Sequence, residues 1–293
     1  MRLFAQRMLR RLLKELDQRI QKHGSAQLGA GSSNGRELEI ETLLRAIVPP
    51  AGARAYLDQH LQRLVRTLSL IPPDGGAAVE LGSYLHGAAV LSRALGYRDV
   101  RGAYYSPHPG QESKTLAIRG QGDFTCTVDL FDAERHEYPY VNNSVDVILC
   151  CELIEHLVRD PMHMLFECHR VLVPNGTLVI TTPNATSLVG VARTLHGHRN
   201  PQIFSAYPAA GNRDTPHVRE YTPRELSDAV TDAGFRVDAL FTEPIAGFED
   251  VSWAQDLLHR EGFDTTLRGE QLYCVASKSD APQTRYPGWL YAR

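Results

Sequence analysis

Two periodicities divide the chain near Gly76. Upstream, apolar residues recur at helical spacing: Leu3/Phe4, Met8/Leu9, Leu12/Leu13, Leu16 and Ile20 form one stripe of a predicted helix over residues 1–22. A Gly/Ser/Asn stretch over 24–35 reads as a linker. Residues 37–70 are helical again, interrupted at Pro49-Pro50 and closed by Pro72-Pro73. Downstream, short apolar or β-branched runs predict strands at 77–81, 99–105, 124–130, 145–151, 177–182, 236–242 and 271–277. Helical patterns at 87–95, 154–172, 223–233 and 251–261 separate most of them. Such alternation predicts an α/β fold: a mostly parallel sheet with helices on both faces. Ligands of such sheets bind beyond the carboxyl ends of the strands, so the chemistry is expected just after the first four.

Composition narrows the class. The 293 residues are 43% hydrophobic and 22% charged, enough for a sizeable core. Lys plus Arg number 31 against 34 Asp plus Glu, a net charge of −3 that argues against wholesale nucleic-acid coating. The five cysteines contain no CxxC pair, which suggests reduced thiols and a cytoplasmic protein. No apolar run approaches the ~18 residues of a membrane span, so a soluble chain is expected. The helix over 1–22 carries Arg2, Arg7, Arg10, Arg11, Lys14, Arg19 and Lys22 against Glu15 and Asp17. It is suited either to packing on its own domain or a partner, or to peripheral contact with an anionic membrane such as the inner membrane face.

After the first strand comes Val79-Glu80-Leu81-Gly82-Ser83-Tyr84-Leu85-His86-Gly87. A carboxylate two positions before a glycine at a strand-to-helix turn suits a nucleoside site, because glycine admits close backbone approach and the acid accepts hydrogen bonds. No GxGxxG and no Walker lysine are present, which counts against a dinucleotide dehydrogenase. Residues 138–184 are more specific. Glu152-Leu-Ile-Glu155-His156 follows the fourth strand, and Arg170-Val-Leu-Val-Pro174-Asn-Gly176 leads into the fifth, which ends in Thr181-Thr-Pro-Asn184.

In order and spacing this run resembles the class I S-adenosylmethionine-dependent methyltransferases, with Glu80 and Gly82 at the family's first motif. Arg219-Glu-Tyr-Thr-Pro-Arg-Glu-Leu226 and Ala233-Gly-Phe235 resemble its last helix and sixth strand. The resemblance implies a Rossmann-like, seven-stranded sheet with the last strand antiparallel. A methyltransferase domain over 71–280 would follow an N-terminal helical segment over 1–70 and precede a tail over 281–293. It also implies S-adenosylmethionine as methyl donor. Glu80, Gly82 and Ser83 would hold its methionine end, Asp132 and Ala133 would meet the adenine, and Cys151 would line the pocket. Two departures stand out. Tyr84 and His86 occupy positions where the family has glycines, and Tyr104 stands where it has a ribose-binding acid. A tyrosine hydroxyl can bond a ribose, but without the strength of a charged acceptor.

Glu152, Glu155 and His156 would share one face of a helix and could ligate Mg²⁺ or Mn²⁺. This pattern resembles ubiquinone-biosynthesis O-methyltransferases and small-RNA 2′-O-methyltransferases, whose further histidine ligand would be His217 here. Without a metal, His156 or His217 could act as general base. The lid insertion over 183–220 carries, up to residue 219, Arg193, His196, His198, Arg199, Arg213, His217 and Arg219 against Asp214, a balance suited to an anionic acceptor. Tyr207 and Tyr221 could stack on a sugar or base. The leading expectation is O-methylation of a sugar, glycan or glycolipid precursor, a choice resting on similarity to bacterial polysaccharide-cluster methyltransferases. The alternatives are an RNA-end or small-metabolite methyltransferase, or a non-catalytic protein that keeps the fold.

Overall fold

The structure is a computed structural model that describes residues 33–49, 53–73, 75–197, 217–245 and 250–291. The helix expected over 1–22 lies outside the described residues, as do His198, Arg199, Tyr207, Arg213 and Asp214. Helices α1 (Ser33–Ala46) and α2 (Arg54–Ser69) flank the two-residue strand β1 (Ile47–Val48). Then come β2 (Ala77–Leu81), α3 (His86–Arg93), β3 (Asp99–Tyr105), β4 (Gly110–Ile118), β5 (Gly122–Phe131) and β6 (Val145–Cys151). A 3₁₀ turn (Ile154–His156) precedes α4 (Pro161–Val171), β7 (Leu172–Pro183), α5 (Leu188–His196), α6 (Pro223–Asp232), β8 (Phe235–Glu243), α7 (Ser252–Arg260) and β9 (Gln271–Lys278).

The strands form one sheet in the order β1-β4-β5-β3-β2-β6-β7-β9-β8. The seven predicted strands are all present, with β5, β3, β2, β6 and β7 mutually parallel and β9 antiparallel to both its neighbours. The sheet nevertheless has nine strands, not seven. Strand β4 runs back antiparallel along β5, and β1 covers the outer edge of β4. The turn that makes this possible is built on Gly120 (φ +75°) and Gly122 (φ +73°), left-handed positions that glycine adopts without steric cost. Because β4 is exposed along most of its length, with only Leu116 and Ile118 buried, its apolar content is too low to read as a strand beside the buried ones.

Helices cover both faces, so neighbouring strand residues are buried in opposite directions. Val147 and Leu149 belong to the buried cluster that includes Leu57, Leu61 and Leu91 of the helices, while Ile148 and Cys150 belong to the one that includes Met162, Leu165 and Leu226. The continuous apolar reading of β6 follows directly from this double burial.

The helix predicted over 154–172 is shorter than expected. Glu152 has φ +49° and Leu157 is extended, so residues 152–160 form a loop around the single 3₁₀ turn. The α-helix begins where Asp160 accepts a hydrogen bond from His163 N and Pro161 takes the first turn, an arrangement that favours a helix start there. No described helix is long and apolar enough to cross a membrane.

Candidate active site

The turn between β2 and α3 is organised by Glu80. Its Oε1 accepts from Gly87 N at 3.0 Å and its Oε2 from Ala88 N at 3.1 Å, while the Ser83 hydroxyl donates to Oε2. Burial pushes the Glu80 carboxyl up in pKa, and these three hydrogen bonds oppose the shift. Both oxygens are therefore directed at the helix start, where a carboxylate also suits the helix dipole. A Cβ on Gly87 would lie 2.4 Å from Glu80 Oε1, so only glycine lets the carboxylate approach. Gly82 sits at φ +70°, and Ser83 N donates to Ala103 O at 2.9 Å, which joins this turn to β3.

The departures noted in the sequence have a structural form. Tyr104 meets Tyr84 edge to face at 5.8 Å between ring centroids, and Lys114 Nζ from the added strand β4 lies 4.8 Å from the Tyr104 ring centroid. Lys114 is itself paired with Glu112 at 2.8 Å. The Tyr104 ring is thus held between a neighbouring aromatic and a cation. His86 is buried at the first position of α3, and its Nε2 has no hydrogen-bond partner among the described residues. Burial lowers its pKa, which favours the neutral imidazole.

At the end of β5, Asp132 Oδ1 accepts from Glu134 N at 2.9 Å, and Ala133 O accepts from the Tyr138 hydroxyl at 3.3 Å. Glu134, which the sequence reading passed over, binds the loop on the far side of β6. Its carboxylate accepts from Val158 N at 3.1 Å and from Arg159 N and Asp160 N, each at 2.6 Å. One side chain thereby ties the expected adenine end of the site to the loop carrying His156. Cys151 at the end of β6 is partly buried, and burial pushes its thiol up to about 12, which disfavours the thiolate.

The four expected metal ligands separate into two groups. Glu155, His156 and His217 converge, each offering a ligand atom within 4.8 Å of the others. The His156 and His217 rings stand 4.9 Å apart at 78°, and Glu155 O accepts from Val218 N at 2.8 Å, which anchors the His217 segment beside the turn. Glu152 is held elsewhere: Arg63 Nη1 lies 2.6 Å from its Oε2, while Thr181 Oγ1 and Gln271 Nε2 donate to Oε1 at 3.0 and 2.8 Å. The helical-face argument for grouping it with Glu155 fails because the segment is not an α-helix. Arg63 comes from α2, far away in sequence, and no local pattern marks it. Thr181 and Thr182 stand inside the Thr181–Asn184 run, where a signal was present.

Glu155 is fully buried. Its Oε2 accepts from Thr182 Oγ1 at 2.9 Å, but Oε1 has no hydrogen-bond partner among the described residues. Burial, with the nearby Glu152 charge, pushes its carboxyl well above the ordinary carboxylate range. His217 Nδ1 lies 3.2 Å from Glu220 Oε1, a pairing that fixes the ring.

Residues 53–240, more than half of the chain, match the family described as "Methyltransferase domain". A Mycolicibacterium smegmatis protein named "Probable S-adenosylmethionine-dependent methyltransferase" is 33% identical over 115 residues, covering 38% of this chain and 36% of its own. The ubiquinone biosynthesis O-methyltransferase of Parvibaculum lavamentivorans is 31% identical over 156 residues, covering 53% of each chain. The chain therefore spans about a third to a half of these relatives' lengths. A solved S-adenosylmethionine-dependent methyltransferase from Archaeoglobus fulgidus is 18% identical with a TM-score of 0.47, covering 78% of this chain and 95% of that one. With that family's model matching residues 53–240, the chain belongs to the class I S-adenosylmethionine-dependent methyltransferases.

Proposed function

We propose that the protein transfers a methyl group from S-adenosylmethionine to a hydroxyl oxygen of a sugar, glycan or glycolipid precursor. The observation that carries the oxygen assignment is the convergence of Glu155, His156 and His217 at the carboxyl rim of the sheet. A sulfonium donor is already activated, so the protein must mainly align the acceptor and remove its proton. In this reading an imidazole of the cluster serves as the general base. Glu80, Gly82 and Ser83 shape the turn that would receive the donor's methionine end, with Tyr104, Asp132, Ala133 and Cys151 along the nucleoside side. The name of the Parvibaculum relative supports oxygen as the acceptor atom.

The same three side chains suit a divalent cation such as Mg²⁺ or Mn²⁺. A buried carboxylate oxygen without a hydrogen-bond donor is costly, about 1–3 kcal/mol or more, and a cation would satisfy it. Glu155, His156 and His217 would hold the ion, which when bound lowers the pKa of an adjacent hydroxyl. Glu152 lies outside that set. Incubation of a host-cell extract with methyl-labelled donor, followed by mass spectrometry, tests the reading. Label on a sugar oxygen is expected; label confined to nitrogen, carbon or RNA would overturn it.

A further inference from the structure

A cleft of about 380 Å³ opens between the start of α5, the end of β8 and residues 265–270. Strand β8 runs in the same direction as β7, so its end at Glu243 and the start of β9 lie on the carboxyl rim that carries Glu155. The cleft is also tied to the cluster through hydrogen bonds. Leu188 N donates to Arg268 O at 2.8 Å, and Asn184 Nδ2 donates to Gly269 O at 2.8 Å. The next residue but one, Gln271, holds Glu152 Oε1 at 2.8 Å and Thr182 O at 3.1 Å. Thr182 in turn donates to Glu155.

The lining is amphipathic in a specific way. Leu188, Val189 and Ile245 supply apolar surface. The same lining includes the polar residues Thr266, Arg268 and Glu270. Arg268 is oriented by two carbonyls, Thr186 O at 3.0 Å from Nη1 and Asp264 O at 3.4 Å from Nε. No carboxylate pairs with it among the described residues. Carbonyls orient a guanidinium without neutralising it, so its planar fork stays matched to a phosphate or carboxylate. Glu270 Oε2 accepts from Ile245 N at 3.0 Å, which holds that carboxylate as an acceptor for hydroxyl groups.

We propose that this cleft holds the methyl acceptor, and that it takes a sugar bearing an anionic substituent, with Arg268 as anion anchor and Glu270 and Thr266 meeting the ring hydroxyls. The assignment rests on the reading above that the acceptor is a sugar. It adds the site, the charge class and the residues that select it. The apolar lining suits the C–H face of a pyranose, and the polar residues suit its hydroxyl edge.

The test is calorimetric titration of the full chain with glucose 1-phosphate, glucuronate, inorganic phosphate and glucose. One of the two charged sugars is expected to bind about tenfold or more tighter than phosphate or glucose, because anchor and hydroxyl contacts act together. Arg268→Met should weaken that binding by about tenfold or more, and Arg268→Lys should recover part of it. Donor binding, measured on the same samples, should be unchanged and reports that each variant is folded. Equal affinity in Arg268→Met and the parent chain, no heat from either charged sugar at millimolar concentration, or phosphate binding as tightly as the sugars would overturn the assignment. If a sugar oxygen gains label while Arg268→Met leaves its KM unchanged, the cleft is wrong and sugar O-methylation stands. If charged sugars bind through Arg268 but no sugar gains label, the proposed reaction fails.

Discussion

Arg63 Nη1 of α2 lies 2.6 Å from Glu152 Oε2, joining the N-terminal helical segment to the residue that follows β6. Glu152 needs this support. Its φ of +49° is unusual for a side chain with a Cβ, and the pair is 12% and 17% exposed. Removing one partner leaves a largely desolvated charge, so Arg63→Leu is expected to lower stability by about 2–3 kcal/mol, somewhat below the full cost for a buried pair. In urea unfolding, Glu152→Leu added to Arg63→Leu should then cost clearly less than Glu152→Leu alone. Simple additivity of the two would show that they do not act as a unit.

His60, near this pair, has its pKa lowered to about 4 by burial first and by the Arg63 charge second, with Glu152 opposing. A folded-state pKa below the ordinary 6.5 means that the unfolded chain binds the proton more readily. The stability that His60 contributes is therefore complete above pH 6.5 and is lost as the pH falls toward 4. Because the ring is partly exposed, a screened loss of about 1 kcal/mol is expected between neutral pH and pH 5. Denaturant midpoints at those two pH values should fall less for His60→Gln than for the parent chain.

Glu80 and Gly87 make a matched pair. Gly87→Ala would place a methyl group 2.4 Å from Glu80 Oε1 and also crowd Leu149, so the carboxylate must leave the α3 start. The expected results are a stability loss of about 1–3 kcal/mol, that of a buried acceptor deprived of its donors, and weaker donor binding by calorimetry. Unchanged donor affinity would show that the turn does not need Glu80 in this position.

The tail over 281–291 is fastened to the end of the 152–160 loop. Arg285 Nη1 donates to Asp160 Oδ1 at 2.7 Å and the Tyr291 hydroxyl donates to the same oxygen at 2.6 Å. Burial works to raise the Asp160 pKa, but these bonds outweigh it and hold the carboxyl below its ordinary value. Its contribution is present above the usual carboxylate range and is lost as the pH falls through the folded pKa. Arg285→Ala should cost about 1–2 kcal/mol in thermal unfolding and make the protein less sensitive to acid. An Arg285→Ala variant with the parent's acid sensitivity would argue that the tail does not stabilise the α4 cap.

Much of this architecture was legible because doubly buried strands such as β6 are apolar at consecutive positions, and helices such as α6 carry a start signal, here Thr222 with Glu225. The added strands escaped notice for different reasons: β4 is polar and exposed along most of its length, and β1 is only two residues long. In the site, Glu155 and His156 were singled out by a motif and His217 by the family resemblance, although the helix invoked for the spacing of Glu152, Glu155 and His156 is absent. Glu134, Arg63, Gln271 and Arg268 act across the chain, through strand register and helix docking that local spacing does not encode. Glu152 shows the converse: its position in the motif suggested a ligand, while a distant arginine decides its role.

The central claim is that the cluster at the sheet rim directs a methyl group to oxygen. The most direct measurement compares parent chain and Glu155→Ala, incubated with methyl-labelled S-adenosylmethionine and a host-cell extract, with and without chelator. The account predicts label on a hydroxyl oxygen of a sugar-containing product for the parent chain, none for Glu155→Ala despite retained donor binding, and a loss on chelation that added Mg²⁺ or Mn²⁺ restores. Label transferred at the parent rate by Glu155→Ala, or carried on nitrogen or carbon, would contradict it.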